Sequence, residues 1–220
     1  MPTITDKSRP DLSPYLIHFT SGNDDEAFES LVSILESKTI EQSDYKCHGE
    51  HISCYTETPI QSIQTAGGFV NWTNYTNYSQ FGILLRKEDL YKIDTRPVFN
   101  CAEKFHEDFP KHLRWRCKKF EPKFTDKSTD YAWEREWRKI GELNLKEINY
   151  EIIVPNETWG NKLSEAAKKK GFQILNHCTN EELSNTCYED CVEGFCEPCE
   201  TCEYPDPQPC LICIEQNETA

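Results

Sequence analysis

Asp130-Tyr131-Ala132-Trp133-Glu134-Arg135-Glu136-Trp137-Arg138 alternates strictly from Trp133 onward. Read as a strand, it sends Trp133, Arg135 and Trp137 to one side and Glu134, Glu136 and Arg138 to the other. Two carboxylates then share a face, with Cα atoms roughly 6.5–7 Å apart. A surface strand has no need of two tryptophans, and a core strand would not carry Glu-Arg-Glu. The pattern makes this stretch a candidate catalytic strand carrying paired carboxylates. A solvated edge strand is the rival reading of the same residues.

The flanking elements define the fold class. Upstream, Tyr15-Leu16-Ile17-His18-Phe19 reads as a short apolar strand. Asn23 then caps an amphipathic helix to about Ser37, with Phe28, Leu31, Val32 and Leu35 on one face. Ile52 to Thr56 and Phe81 to Leu85 read as strands. Glu57-Thr58-Pro59 opens a short helix that Gly67-Gly68 stops. Phe69 to Gln80 is an Asn/aromatic loop without period, Arg86 to Tyr91 is one or two helical turns, and Arg96 to Phe99 is a further strand. Cys101 to Phe109 reads as helical, and Leu113 to Phe124 is basic-aromatic with no clear period. Downstream, Tyr150 to Val154 is a strand, and Asn156 or Thr158 caps a helix to about Lys170. Gly171 sits at its C′ position, and Phe172 to Leu175 reads as the last core strand. About seven short strands and three or four helices, mixed but not alternating, predict an α+β domain of curved antiparallel sheets with flanking helices. No Gly-x-Gly-x-x-Gly follows a strand, which argues against a doubly wound nucleotide fold. The chain divides into an arm over 1–14, an α+β domain over 15–176 and a Cys-rich tail over 177–220.

The bulk numbers restrict the function class. The 220 residues carry a net charge of −14, so no phosphate-neutralising surplus exists for non-specific nucleic-acid binding. Lys111, Arg114, Arg116, Lys118 and Lys119 are a local basic exception. Met1 to Pro14 is polar and lacks an apolar h-region, and no run approaches the roughly 20 apolar residues of a membrane span. The expectation is a cytoplasmic protein with no membrane partner. Asn-x-Ser/Thr triplets at Asn71, Asn74, Asn77, Asn156 and Asn217, with 12 cysteines, keep a secreted disulfide-stapled glycoprotein open as an alternative.

Seven cysteines, Cys187, Cys191, Cys196, Cys199, Cys202, Cys210 and Cys213, fall within 27 positions. Cys196-x-x-Cys199, Cys199-x-x-Cys202 and Cys210-x-x-Cys213 have the spacing at which two thiolates reach one tetrahedral ion. With Cys178 they supply eight thiolates, enough for two four-cysteine zinc sites. The tail has too little apolar content to fold otherwise. Disulfides, iron–sulfur ligation and a disordered tail are the competing readings.

Three short motifs occur in a telling order: His18-Phe19-Thr20-Ser21, then Cys54-Tyr55-Thr56-Glu57-Thr58-Pro59, then Trp133 to Arg138. Between them lie Ile34-Leu35-Glu36-Ser37, Phe81 to Leu90 and Arg96-Pro97-Val98. Over Tyr15 to Leu175 this order resembles the AbiGi-type abortive-infection proteins of bacterial phage defence. More distantly it is similar to DarT-type and other ADP-ribosyltransferases. The resemblance implies an NAD-dependent transfer of ADP-ribose to a macromolecular acceptor, protein or nucleic acid, with an antitoxin or chaperone as a possible partner. It implies that His18 and Thr20 hold NAD, that Tyr55 walls the nicotinamide site, and that Glu136 is the catalytic carboxylate with Glu134 supporting. Arg86 or Arg138 would meet the pyrophosphate or hold a glutamate ionised. The enzyme reading expects His18, Tyr55 and Glu136 to converge on one cleft. The alternative is a catalytically inactive, zinc-containing binding module.

Overall fold

Asn23 begins the first helix with both halves of a capping box: its side chain accepts from the Glu26 amide, and Glu26 returns a bond to the Asn23 amide. Helix α1 runs Asp24–Ser37 and turns Ala27, Phe28, Leu31, Val32 and Leu35 inward. Each large apolar side chain buried there contributes about 1.5–3 kcal/mol. Lys38 closes the helix in the left-handed conformation. The computed structural model describes residues 13–59, 78–120, 132–174 and 177–179.

The strands, in chain order, are β1 Tyr15–Ser21, β2 Thr39–Ile40, β3 Lys46–Cys47, β4 Glu50–Thr56, β5 Tyr78–Arg86 and β6 Arg96–Pro97. They continue with β7 Phe99–Cys101, β8 Cys117–Lys119, β9 Glu136–Ile140, β10 Leu143–Asn144, β11 Tyr150–Val154 and β12 His177–Thr179. Helix α2 is Lys87–Lys92 and α3 is Glu157–Lys170. The main sheet has the order β12-β11-β5-β1-β4-β9-β6, with β3 on β4. Among its described strands only β11–β12 is parallel. Two small ladders, β10–β2 and the parallel β7–β8, lie outside it. This is a mixed α/β fold around an antiparallel sheet with few helices.

The two faces of the sheet are distinct. Leu16, Tyr55, Phe81, Ile83, Leu85, Trp137, Ile152 and Val154 join Phe28, Leu31 and Leu163 of α1 and α3 in the main core. The residues of opposite parity, Ile17, Cys54, Thr56, Gly82, Leu84, Glu136, Arg138 and Ile153, project from the other face. The sheet also forks. β1 and β5 share six paired positions and β4 and β9 share five, but β1 and β4 share only Ile17↔Thr56. Beyond that point the two halves of the sheet diverge.

Several expectations need correction. Trp133 to Arg138 is not one strand: Ala132–Glu134 is a 3₁₀ turn, Arg135 has φ +45°, and β9 begins at Glu136. Trp133 is 39% exposed, whereas Trp137 is buried. Residues 172–174 are not in a strand; the last strand among the described residues is β12, which pairs with β11. Arg96 to Phe99 divides between β6 and β7, which belong to different sheets. Residues 111–119 form a 3₁₀ turn followed by β8, and Tyr78 to Gln80 belongs to β5. The arm over 1–12, the short helix after Pro59, the remainder of the Asn/aromatic loop and the tail beyond Thr179 lie outside the described residues. No helix among the described residues is long and apolar enough to cross a membrane.

Candidate active site

Strand β9 sends Glu136 and Arg138 to the face away from the helices. They meet there at 2.6 Å (Arg138 Nε to Glu136 Oε1) and 3.3 Å (Nη2 to Oε2). Arg138 Nη1 donates to the Trp115 carbonyl at 2.8 Å and the Cys117 carbonyl at 3.1 Å, and meets Cys47 Sγ at 3.2 Å. One guanidinium therefore fastens β9 to the segment leading into β8. Every polar nitrogen of Arg138 is occupied within the protein, so its position suits holding Glu136 ionised rather than meeting a pyrophosphate.

Lys118 arrives from β8. Its ammonium lies 2.5 Å from Glu134 Oε2 and 2.7 Å from Glu136 Oε2. The 3₁₀ turn and the left-handed Arg135 return Glu134 to the same side as Glu136, so the pair shares a counter-ion despite the broken strand. The Thr56 hydroxyl donates to the Glu134 carbonyl, and Thr58 Oγ1 donates to the Trp133 carbonyl at 2.6 Å, which ties this turn to the end of β4.

The two carboxyls are driven apart in acidity. Burial raises both, but at Glu136 Arg138 and Lys118 outweigh it, and the pKa falls below the ordinary 4.5. At Glu134 burial prevails over Lys118, with the Glu136 charge adding to it, and the pKa rises. Opposed shifts in a close pair make Glu134 the more basic carboxylate and Glu136 the more acidic one.

The neighbours of this pair include groups the sequence did not single out. Cys54 makes a side-chain hydrogen bond to Glu136, and burial followed by the Glu136 charge drives its thiol pKa far up. The Tyr78 phenol is pushed up by burial and then by Glu134 and Glu136. Its ring stacks on Phe19 at 6.0 Å between centroids. Lys118, Cys54, Tyr78 and Phe19 sit on four elements, and no local spacing links them to Glu-x-Glu. Only the basic run from Lys111 to Lys119 hinted that a cation was available.

His18, Tyr55 and Glu136 do not converge as expected. His18 and Tyr55 are on the helix-packed face, their rings 5.8 Å apart, and Glu136 is on the other. Tyr55 is 3% exposed and its hydroxyl pairs with Ser53, so it is a core side chain rather than an open wall. Thr20 is also buried, its hydroxyl shared with Ser79 and donated to the Phe81 carbonyl. His18 spans the fork: Nδ1 donates to the Cys54 carbonyl at 2.9 Å, which leaves Nε2 as the acceptor. Burial lowers its pKa, so the ring is neutral, although the bond to Cys54 opposes that shift. Cys54 thus touches His18 through its backbone and Glu136 through its thiol.

Arg86 lies elsewhere. It is exposed and lines a cavity of about 310 Å³ with Pro14, Tyr15, Lys87, Tyr91 and Trp137. Beside that cavity, Glu57 accepts from Lys87 Nζ at 2.9 Å and from Trp137 Nε1 at 2.8 Å. Of the proposed zinc ligands, Cys178 is described only as a backbone position of β12, and Cys187, Cys191, Cys196, Cys199, Cys202, Cys210 and Cys213 lie outside the described residues. Among the described residues, no group of three or more His, Cys, Asp or Glu side chains is placed to hold a metal. Cys47, Cys54, Cys101 and Cys117 are free thiols.

No family model matches the chain, and no curated protein matches it. Among solved structures it is similar to Thermus sp. 2.9 DarT in complex with NAD+, with 9% identity and a TM-score of 0.42 over 77% of this chain and 96% of that one. It is similar also to Thermus sp. 2.9 DarT in complex with carba-NAD+, with 10% identity and a TM-score of 0.41 over 76% and 94%. A likeness at this level assigns no residue of the chain a role.

Proposed function

We propose that the chain is an NAD-dependent ADP-ribosyltransferase-like enzyme acting on a macromolecular acceptor. Its setting would be cytoplasmic anti-phage abortive infection, with an antitoxin or chaperone as partner. The single observation that carries this reading is the buried Glu134–Glu136 pair, joined by Lys118 and pushed to opposite protonation tendencies beside the fork between β1 and β4. The order of the three motifs in the sequence adds to it.

Cleaving the bond between ribose and nicotinamide builds positive charge on the ribose. Glu136, held ionised by Arg138 and Lys118, is the group suited to stabilise that charge. Glu134, with its raised pKa, is suited to take the acceptor's proton. In this reading Tyr78, half-buried and stacked on the buried Phe19, rather than Tyr55, offers the aromatic surface on the carboxylate side of the sheet. His18 Nε2 offers an acceptor for a ribose hydroxyl from the fork. Glu136→Gln should abolish NAD-dependent labelling with the melting transition retained. Full labelling by that variant would overturn the reading.

One observation favours the inactive binding module: Lys118 and Arg138 between them engage both oxygens of Glu136 inside the protein. NAD titration by calorimetry separates the two, because a scaffold that has lost the donor site releases no heat. For the tail, zinc held by cysteine thiolates is the proposal. Stoichiometric zinc in the purified full chain supports it, and complete protection of the tail thiols as disulfides with no metal would sink it.

A further inference from the structure

Glu-x-Glu would ordinarily be an anionic receiver for a cationic acceptor, but here the pair is charge-balanced. Lys118 Nζ meets Glu134 Oε2 and Glu136 Oε2 at 2.5 and 2.7 Å, and Arg138 Nε meets Glu136 Oε1 at 2.6 Å. Glu134 and Arg138 are buried and Glu136 and Lys118 half-buried, with side-chain exposures of 7% for Glu134, 9% each for Glu136 and Arg138 and 19% for Lys118. Among the described residues two carboxylates face two cations, so these four groups leave no surplus negative charge to attract a third. A guanidinium approaching Glu134 would come against the ammonium already seated on that carboxylate, in a site where water screens little.

Resting on the reading above, we propose that Lys118 sets acceptor specificity: it keeps the site for an uncharged nucleophile, a hydroxyl or amide N–H, and closes it to guanidinium and ammonium acceptors. In the transfer, the bond between the ribose anomeric carbon and nicotinamide breaks and nicotinamide leaves with the electron pair. The acceptor oxygen or nitrogen forms the new bond to that carbon, and its proton passes to the Glu134 carboxylate. An uncharged acceptor adds no cation to the nest during this step. A guanidinium would place a third positive charge there before it could lose its proton.

The test is a product comparison with the full chain, NAD, and either methanol or agmatine as acceptor, read by mass spectrometry. The wild type should form O-methyl-ADP-ribose and no agmatine adduct. Lys118→Met should raise the agmatine-to-methanol product ratio at least about tenfold, because it removes the repelling charge. Lys118→Arg, which keeps the charge, should retain the exclusion; it reports on the same question if Lys118→Met does not fold. A wild-type agmatine adduct as abundant as the methyl product overturns the proposal, and so does an agmatine adduct from Lys118→Arg. An unchanged ratio in folded Lys118→Met overturns it too. These results leave NAD cleavage standing, whereas no NAD cleavage by the wild type overturns both this proposal and the enzyme reading.

Discussion

Glu134 and Glu136 hold the same ammonium, Lys118 Nζ at 2.5 and 2.7 Å, yet their acidities move in opposite directions. The difference comes from Arg138, which binds Glu136 in a two-point grip and has no such contact with Glu134. If Glu134 takes the acceptor proton, activity should rise with pH through a pKa above the ordinary carboxylate range. Glu134→Gln should lose about 10²–10⁴ in kcat/KM and flatten that rising limb. Glu136→Gln should abolish activity at every pH. A Glu134→Gln profile that kept the wild-type limb would remove Glu134 from proton transfer.

Arg138 is the largest single investment of polar bonding in the site. Its guanidinium joins Glu136 to the carbonyls of Trp115 and Cys117, and so joins the main sheet to the β8 segment. Arg138→Met takes from Glu136 its two-point cation partner, with Lys118 and the Cys54 thiol still in place, and leaves two buried carbonyls without that donor. Removing one partner of a buried pair costs about 3–5 kcal/mol. Arg138→Lys keeps the charge but not the forked geometry, and should fall between the two. Urea unfolding measures this; a loss below about 1 kcal/mol for Arg138→Met would mean that the network relaxes without cost.

His18 makes stability depend on pH. Its folded pKa lies below the ordinary 6.5 because the buried ring resists charging. Between those two values the unfolded chain binds the proton and the folded chain does not, so stability falls as pH drops below about 6.5. His48 shifts in the same direction, mainly by desolvation, but it is largely exposed and adds little. Glu136 adds nothing to this window: its folded pKa is depressed, so its contribution is lost only as pH falls below 4.5. Glu134 has the opposite sign and costs stability as pH rises from 4.5 to its raised value. His18→Gln, with an uncharged side chain, should flatten the profile between pH 5 and 7 (about the span of an unshifted histidine). An unaltered slope would assign the dependence to another group.

Local pattern carried the elements that bury their own periodic face. Phe28, Leu31, Val32 and Leu35 mark α1, and Phe81 to Leu85 and Tyr150 to Val154 mark the buried centre of the sheet. The two-residue strands β2, β3, β6 and β10 have no period to read, since each exists only through its partner. Trp133 to Arg138 misled because alternation continued across Arg135, where the backbone turns left-handed. The Glu-x-Glu pair was visible as chemistry, but its counter-ion was not. Lys118 stands 16 residues from Glu134, on a strand held by a separate small ladder. The sidedness of His18 and Tyr55 against Glu136 depends on register across three strands, which no single strand reveals.

Gly82 tests the fork itself. A Cβ added there would lie 2.8 Å from the His18 carbonyl oxygen, 3.2 Å from Phe19 Cδ1 and 3.3 Å from Ile17 Cγ2. The first contact is backbone and cannot swing aside, so β1 must shift away from β5. The cost of such overpacking is about 1–3 kcal/mol. The shift falls where β1 leaves β4, because Gly82 pairs with Phe19 one residue beyond His18. Gly82→Ala should therefore lower the melting temperature and also disturb the bond from His18 Nδ1 to the Cys54 carbonyl, which histidine ring NMR would register as a changed Nδ1–H shift. Loss of stability with an unchanged His18 resonance would place the strain elsewhere and separate β1 packing from the geometry of the fork.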